Sequence, residues 1–311
     1  MTDKEKKIEA EKYLRLADEC YDKNDRDQAA ACYAKAAQLG HPLGYYYLGQ
    51  CYENNIGLPT DMKKALSCYL EASERGCADA TYRMGRFYHG GWVVEQDHKM
   101  AVKLYKMAAD EGLPQAMAEL SGLYEYGIGV KKSKTRARDL ITKAAETGDP
   151  YHMRKLAEHY QKGGLFLKNE KKACLWYRSA AQAGDIPSAR EYALYLYEGK
   201  FTDQNYSEAF KWFCHAAENN DRNAMYYLGL YHAKGIGMPV NHENAIELFK
   251  KSKTDMANYA IGCYYREEVF FEKDESQAMY YFKLAADCGH DEAMQIVYGD
   301  PHDRKVKIKN K

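Results

Sequence analysis

A pair of histidines, a thiol beside a histidine, and two glycine pairs are the places where this chain could do chemistry. His152 and His159 stand seven residues apart. That is about two helical turns, which points both imidazoles to one side of a helix, as metal ligands require. No carboxylate or thiolate stands at a fixed distance from them to complete a site. Cys214 and His215 offer a thiol and a base, but adjacent residues on a helix do not face each other and make no nucleophile–base dyad. Gly127–Gly129 and Gly235–Gly237 imitate a phosphate cradle, yet no strand precedes either pair and no lysine–threonine follows. The chain has no P-loop, no G-x-S-x-G, no H-E-x-x-H and no C-x-x-C. These residues predict a protein that is not an enzyme and carries neither cofactor nor metal.

Charge narrows the partners. Among 311 residues, 45 Lys and Arg balance 45 Asp and Glu, so there is no broad basic footprint for nucleic acid or an anionic membrane. No run of eighteen apolar residues occurs that could span a bilayer. The opening stretch MTDKEKKIEAEK has no apolar h-region, so no secretory signal is expected. The chain reads as soluble and cytoplasmic. Its nine cysteines fit that compartment: Cys32 and Cys68 fall where other units place Leu104 and Leu140, so they read as small buried hydrophobes rather than as a disulfide framework.

The elements that carry these residues recur. Ala80 aligns with Ala116, Met84 with Leu120, Gly85 with Ser121, Tyr88 with Tyr124, Ala101 with Ala137 and Gly112 with Gly148. The offset is 116 − 80 = 36 residues, a period that predicts stacked helix pairs. Unit starts fall at Gly44, Ala80, Ala116, His152, Ser188, Ala224, Ala257 and Ala293, at intervals of 36 except 257 − 224 = 33. In each unit a small residue on the first helix precedes an alanine on the second by sixteen, as Gly49 precedes Ala65 and Gly85 precedes Ala101. Two small residues let the helix backbones approach, and the aromatic four residues beyond the alanine, such as Tyr105, fills the space that remains. Glycine closes most second helices (Gly76, Gly112, Gly148, Gly184), while Asn220 stands at that place in a later unit.

The N-terminal helix pair, Ile8 to Leu39, has Ala17 and Ala29 only twelve apart and resembles a tetratricopeptide repeat. The later units follow LG-x-x-Y, then G-x-G-V, then KA-x-x-(W/Y)-(Y/F)-x-x-AA-x-x-G, a pattern similar to the Sel1-like repeat; KKACLWYRSAAQAG at 171–184 carries its second half most fully. The resemblance implies an all-α fold, a right-handed αα superhelical solenoid lined by first helices. It divides the chain into a flexible 1–7, a tetratricopeptide-like unit over 8–43, seven Sel1-like repeats over 44–292, a capping helix over 293–299 and a basic flexible tail over 300–311. It also implies a non-catalytic scaffold or adaptor that grips a protein or peptide in the concave groove. A site for an enzyme or enzyme regulator in the groove is the alternative reading, and an RNA-binding repeat the third.

In the related tetratricopeptide fold, ligand is touched by residues three before, one after and four after the small residue. Carried over, these are Tyr46, Tyr82, Arg154, Arg190, Tyr226 and Tyr259; then Arg86 and Glu158; then Glu53, His89, Glu125, Tyr197 and Arg266. Tyrosine offers a broad face and a hydroxyl to an extended peptide, and arginine a forked donor for an acidic group, which places the expected acidic anchor at Arg154 and Arg190. An Arg154–Glu158 pair one turn apart is the competing reading of that arginine. Loop residues Trp92, Val93, Val94, Leu165, Phe166, Leu167, Phe270 and Phe271 either cover the seams or form a second, apolar edge. Replacing Ala144 by Phe should overpack a helix seam and lower stability by about 1–3 kcal/mol in urea unfolding.

Overall fold

Each second helix starts at a residue whose side chain can accept from the first free N–H groups. Asp25, Asp61, Asp97, Ser133, Asn169, Asn205, Asn241 and Asp274 all do so. From Asp61 onward, the backbone N–H of each of these caps also donates to the preceding first helix, as Asp61 does to the Tyr52 carbonyl and Asp97 to the Tyr88 carbonyl. The cap therefore starts one helix and fastens the loop to another.

The computed structural model describes residues 1–299. The pairs are α1 (Asp3–Asp22) with α2 (Arg26–Gln38), α3 (Pro42–Asn54) with α4 (Met62–Glu74), and α5 (Ala78–Gly90) with α6 (His98–Asp110). Next come α7 (Pro114–Tyr126) with α8 (Lys134–Glu146), α9 (Pro150–Lys162) with α10 (Glu170–Gln182), and α11 (Ile186–Glu198) with α12 (Tyr206–Glu218). Last are α13 (Arg222–Lys234) with α14 (His242–Ser252), α15 (Asp255–Arg266) with α16 (Glu275–Asp287), and α17 (Asp291–Tyr298), which packs on α16. Among the described residues there is no strand, and the expected all-α array of paired helices is the observed one. No helix among them is long and apolar enough to cross a membrane.

Two compact units divide the chain: residues 1–152 with 163–167, and 153–162 with those from 168 on. In the first, α1 starts at Asp3, inside the segment expected to be flexible, because Thr2 and Glu5 close a capping box around its first turn. The basic tail expected over 300–311 lies outside the described residues. In the second unit the short repeat closes at Lys253, in the left-handed region at φ 53°, and Thr254 caps α15. Asn220, at φ 65°, takes the left-handed place that Gly184 fills at φ 94°, as its position in the repeat predicts.

Both cores are built from one repeated contact. A Cβ added at Gly49 would lie 2.7 Å from the Tyr69 ring, one at Gly85 2.6 Å from Tyr105, and one at Gly262 2.6 Å from Phe282. Glycine is needed here because the ring of the second helix rests directly on the backbone of the first. Those rings are wholly buried, as are the second-helix alanines Ala65, Ala101 and Ala278. Repeats with Ala157 or Ala193 at the small position still bury Tyr177 and Phe213. The repeat with Ser121 has Ile141 in place of a ring, and the Ser121 hydroxyl donates to the Ala137 carbonyl at 2.8 Å.

The same geometry makes two glycines behave oppositely. A Cβ at Gly122 meets nothing within 4 Å. Gly122→Ala should therefore stabilise the protein by about 0.5–1 kcal/mol through helix propensity. Gly85→Val should destabilise it by about 1–3 kcal/mol through collision with Tyr105. Urea midpoints of the two variants check both signs, and a neutral Gly85→Val would refute the ring contact as the seam.

Candidate functional site

The first-helix residues picked out by the repeat lie on either side of that buried ring. The residue three before the small position covers one side: Tyr46 lies 6.0 Å from Tyr69, Tyr82 5.7 Å from Tyr105, Tyr226 5.7 Å from Phe249 and Tyr259 5.5 Å from Phe282, centre to centre. The residue four after covers the other. Glu53 accepts from the Tyr69 hydroxyl, His89 sits 6.4 Å from Tyr105, Tyr197 6.4 Å from Phe213, and the Arg266 guanidinium 4.8 Å over Phe282. Gln161 takes the Tyr177 hydroxyl at 2.8 Å in the same way. Burial pushes the phenols of Tyr46, Tyr82 and Tyr259 up, and that of Tyr226 up to about 12, so all four stay neutral near pH 7. Glu125 faces the one repeat whose second helix has Ile141 instead of a ring; it is half-buried, with no hydrogen bond or ion pair among the described residues.

Several of these side chains are tied together. In the first unit, Gln50 Nε2 donates to the Tyr46 hydroxyl at 2.8 Å, and Arg83 Nη1 lies 3.5 Å from the Glu53 carboxylate. Arg83 was not singled out by the repeat, since it sits between two contact positions; its signal is only that it stands thirty residues beyond Glu53. Arg86 lies 5.6 Å over the Trp92 ring.

In the second unit the two arginines expected to hold an acidic partner already hold acids of this chain. Arg154 Nε is 2.9 Å from Asp185 Oδ2, and its Nη1 is 3.0 Å from Glu158 Oε1. Arg190 Nη1 is 2.9 Å from Asp221 Oδ2, and its Nη2 is 2.8 Å from Glu191 Oε1. Asp185 and Asp221 are the N-caps of α11 and α13, accepting from the backbone of Ser188 and Ala224. Each arginine thus binds the cap of the next first helix, thirty-one residues on. Of these contacts only Arg154–Glu158, the competing reading of that arginine, is legible from spacing; the stacking of repeats is what brings the two caps near.

The loops divide. Leu165 is buried, Val93 and Val94 pack into the core, and Phe271 stacks on Tyr265 with ring centres 4.2 Å apart. Trp92, Leu167 and Phe270 stay exposed, Leu167 by 89%. Phe201 is also exposed; it holds φ 62° where Gly57, Gly129 and Gly237 fill the matching place. A hollow of about 580 Å³ among α6, α7 and α8 is lined by Met117, Leu120, Tyr124 and Leu140 under Lys106 and Lys143, and holds no thiol or imidazole. His152, weighed as a metal ligand, has its Nδ1 2.9 Å from Asp149. Among the described residues no three or more His, Cys, Asp or Glu gather as metal ligands would.

The Sel1 repeat profile matches residues 13–41, 42–77, 78–113, 114–149, 152–185, 186–221, 222–253 and 255–290. The first of these eight is the unit whose spacing resembles a tetratricopeptide repeat, so one more Sel1 repeat is matched than sequence reading counted. Among solved structures, c5321, a protective antigen of uropathogenic Escherichia coli with an SLR fold, is 27% identical with a TM-score of 0.77, covering 93% of this chain. The chain spans 64% of that protein's length. A Sel1 repeat protein from Oxalobacter formigenes is 25% identical with a TM-score of 0.64, over 77% of this chain and 98% of its own. Comparison with curated proteins gives no match.

The arginine–cap contacts make a measurable prediction. A double-mutant cycle of Arg190→Ala and Asp221→Ala should give a coupling energy of about 0.5–3 kcal/mol in urea unfolding. A coupling of zero would mean that the pair does not hold the two repeats together.

Proposed function

Since this chain belongs to the Sel1 repeat family, whose members serve as scaffolds for protein interaction, we propose that it is a non-catalytic adaptor that binds an extended segment of a protein partner on its first-helix faces. One observation supports this most. The Tyr82 and Tyr226 rings are held from behind by Tyr105 and Phe249, while their hydroxyls make no hydrogen bond among the described residues. A ring fixed before binding loses little rotamer freedom when a partner arrives, and an unpaired hydroxyl can meet its backbone. Arg154 and Arg190 take a different part in this reading. An acidic residue of the partner would have to compete with two carboxylates at each, so they position the first helices and the tyrosines make the contact.

In the first unit the surface comprises Tyr82, Arg86, Gly122 and Glu125; in the second, Tyr197, Tyr226 and Tyr259. The cytosol is the compartment proposed, in keeping with nine cysteines that are all free.

Gly122 supplies a test that separates binding from stability. Gly122→Leu puts a side chain into empty space on the first-helix face and improves helix propensity by up to about 0.8 kcal/mol, so it should not lower the Tm. It should abolish crosslinking to the native partner. Met107→Glu, on an exposed second-helix position, should leave crosslinking intact. The opposite pattern, with Met107→Glu losing the partner and Gly122→Leu keeping it, would move the contact off the first helices.

A further inference from the structure

The turn between α5 and α6 brings together two imidazoles that the fold leaves unused. His89 lies in the last turn of α5 and His98 opens α6, with ring centres 5.1 Å apart and planes inclined by 53°. The Nδ1 atoms of both are buried, and neither has a hydrogen-bond partner among the described residues. A buried polar atom left unpaired costs about 1–3 kcal/mol, so two in neighbouring rings call for an occupant. Ion pairs do not supply one: neither ring meets a carboxylate in a salt bridge among the described residues.

The turn is held firmly on every side. Asp97 accepts from the backbone of Lys99 and Met100 and so fixes the first turn of α6, where His98 sits. Gln96 Nε2 donates to the His89 carbonyl at 2.8 Å, closing the turn from the other side. The Gly129 backbone, from the next repeat of the same unit, abuts the His98 carbonyl and Cβ, and a side chain there would not fit. The Tyr105 ring lies beside His89.

The separation of the rings is compatible with a metal ion shared between them. A tetrahedral zinc ion binds imidazole nitrogen at about 2.0–2.1 Å, which puts each ring centre about 3.2 Å from the metal; two such rings at about 109° have centres about 5.2 Å apart. The observed 5.1 Å agrees with that geometry. We propose that His89 and His98 form a two-imidazole site for a divalent transition metal, Zn²⁺ first, with Ni²⁺ and Cu²⁺ suited by the same ligand chemistry. Both nitrogens bind as neutral imidazoles, so acid releases the metal. Two protein ligands leave two tetrahedral positions for water or for a side chain of a partner. Its test is separate from that of the first-helix contact, since Zn²⁺ alone is the probe.

The experiment is a titration of ZnCl₂ into chelator-treated, reduced full-length protein, followed through the imidazole ¹⁵N resonances. One Zn²⁺ per chain is expected, with the His89 and His98 Nδ1 signals moving together and the Tm rising. His89→Gln and His98→Gln should each abolish saturable binding and the rise in Tm while leaving the far-UV circular dichroism of the metal-free protein unchanged. If a variant does not fold, the wild-type ¹⁵N shifts decide alone. Co²⁺ as a spectroscopic probe separates this site from the nine thiols, because only thiolate ligation gives an intense near-ultraviolet charge-transfer band. No saturable binding up to millimolar metal, binding that survives in both variants, or a thiolate band with unmoved imidazole signals would each overturn the proposal.

Discussion

The close crossing of two helices at a small residue, most often under an aromatic ring, is the contact on which the rest of this structure depends. At Gly49, Gly85, Gly229 and Gly262 the ring of the second helix lies where a first-helix Cβ would otherwise be. Single helix pairs of this kind have no interior of their own; each must bury a face against the next pair, so stability belongs to the stack. Glycine in a helix is costly in conformational entropy. At these four crossings it is offset by the close packing of a buried tyrosine or phenylalanine ring against the backbone.

The contact also explains why the residues nominated as ligand readers have a second occupation. Positions three before and four after the small residue are the flanks of the buried ring, so whatever stands there touches it first. Tyr46, Tyr82, Tyr226 and Tyr259 cover one flank, and Glu53, His89, Tyr197 and Arg266 the other. A residue that seals a seam from outside is necessarily half in the core and half on the surface. Its inner half sets its rotamer, and its outer half is what a partner would meet. Packing and recognition are thus not competing explanations for the tyrosines, whereas for Arg154 and Arg190 they are, since a guanidinium occupied by two carboxylates has few donors left to offer.

Loop glycines follow the same economy of space. In the first unit, Gly57 abuts the Arg26 carbonyl and Gly129 the His98 carbonyl, so the loop of one repeat lies against the first turn of the preceding second helix. The G-x-G that imitates a phosphate cradle is a device for that close approach. Where Phe201 takes the corresponding place it keeps the left-handed backbone and leaves its ring exposed.

The sequence by itself determined the period, the helix pairing, the small residues at the crossings and the left-handed ends. These are local or strictly repeated properties: Asn220 could be read as a glycine substitute because its neighbours in register are glycines, and the ring at Tyr105 because an alanine precedes it by four. It also gave the register of the first-helix residues three before and four after each small position. Only the tertiary structure decided what those residues touch. The partners of Arg154 and Arg190 stand thirty-one residues away, and the ring beside His89 belongs to another helix. The tertiary structure also decided that Leu165 turns inward and Leu167 outward. Repetition specifies where a backbone goes, because every copy obeys the same spacing; the contact between two unlike side chains depends on the one place where two particular copies meet.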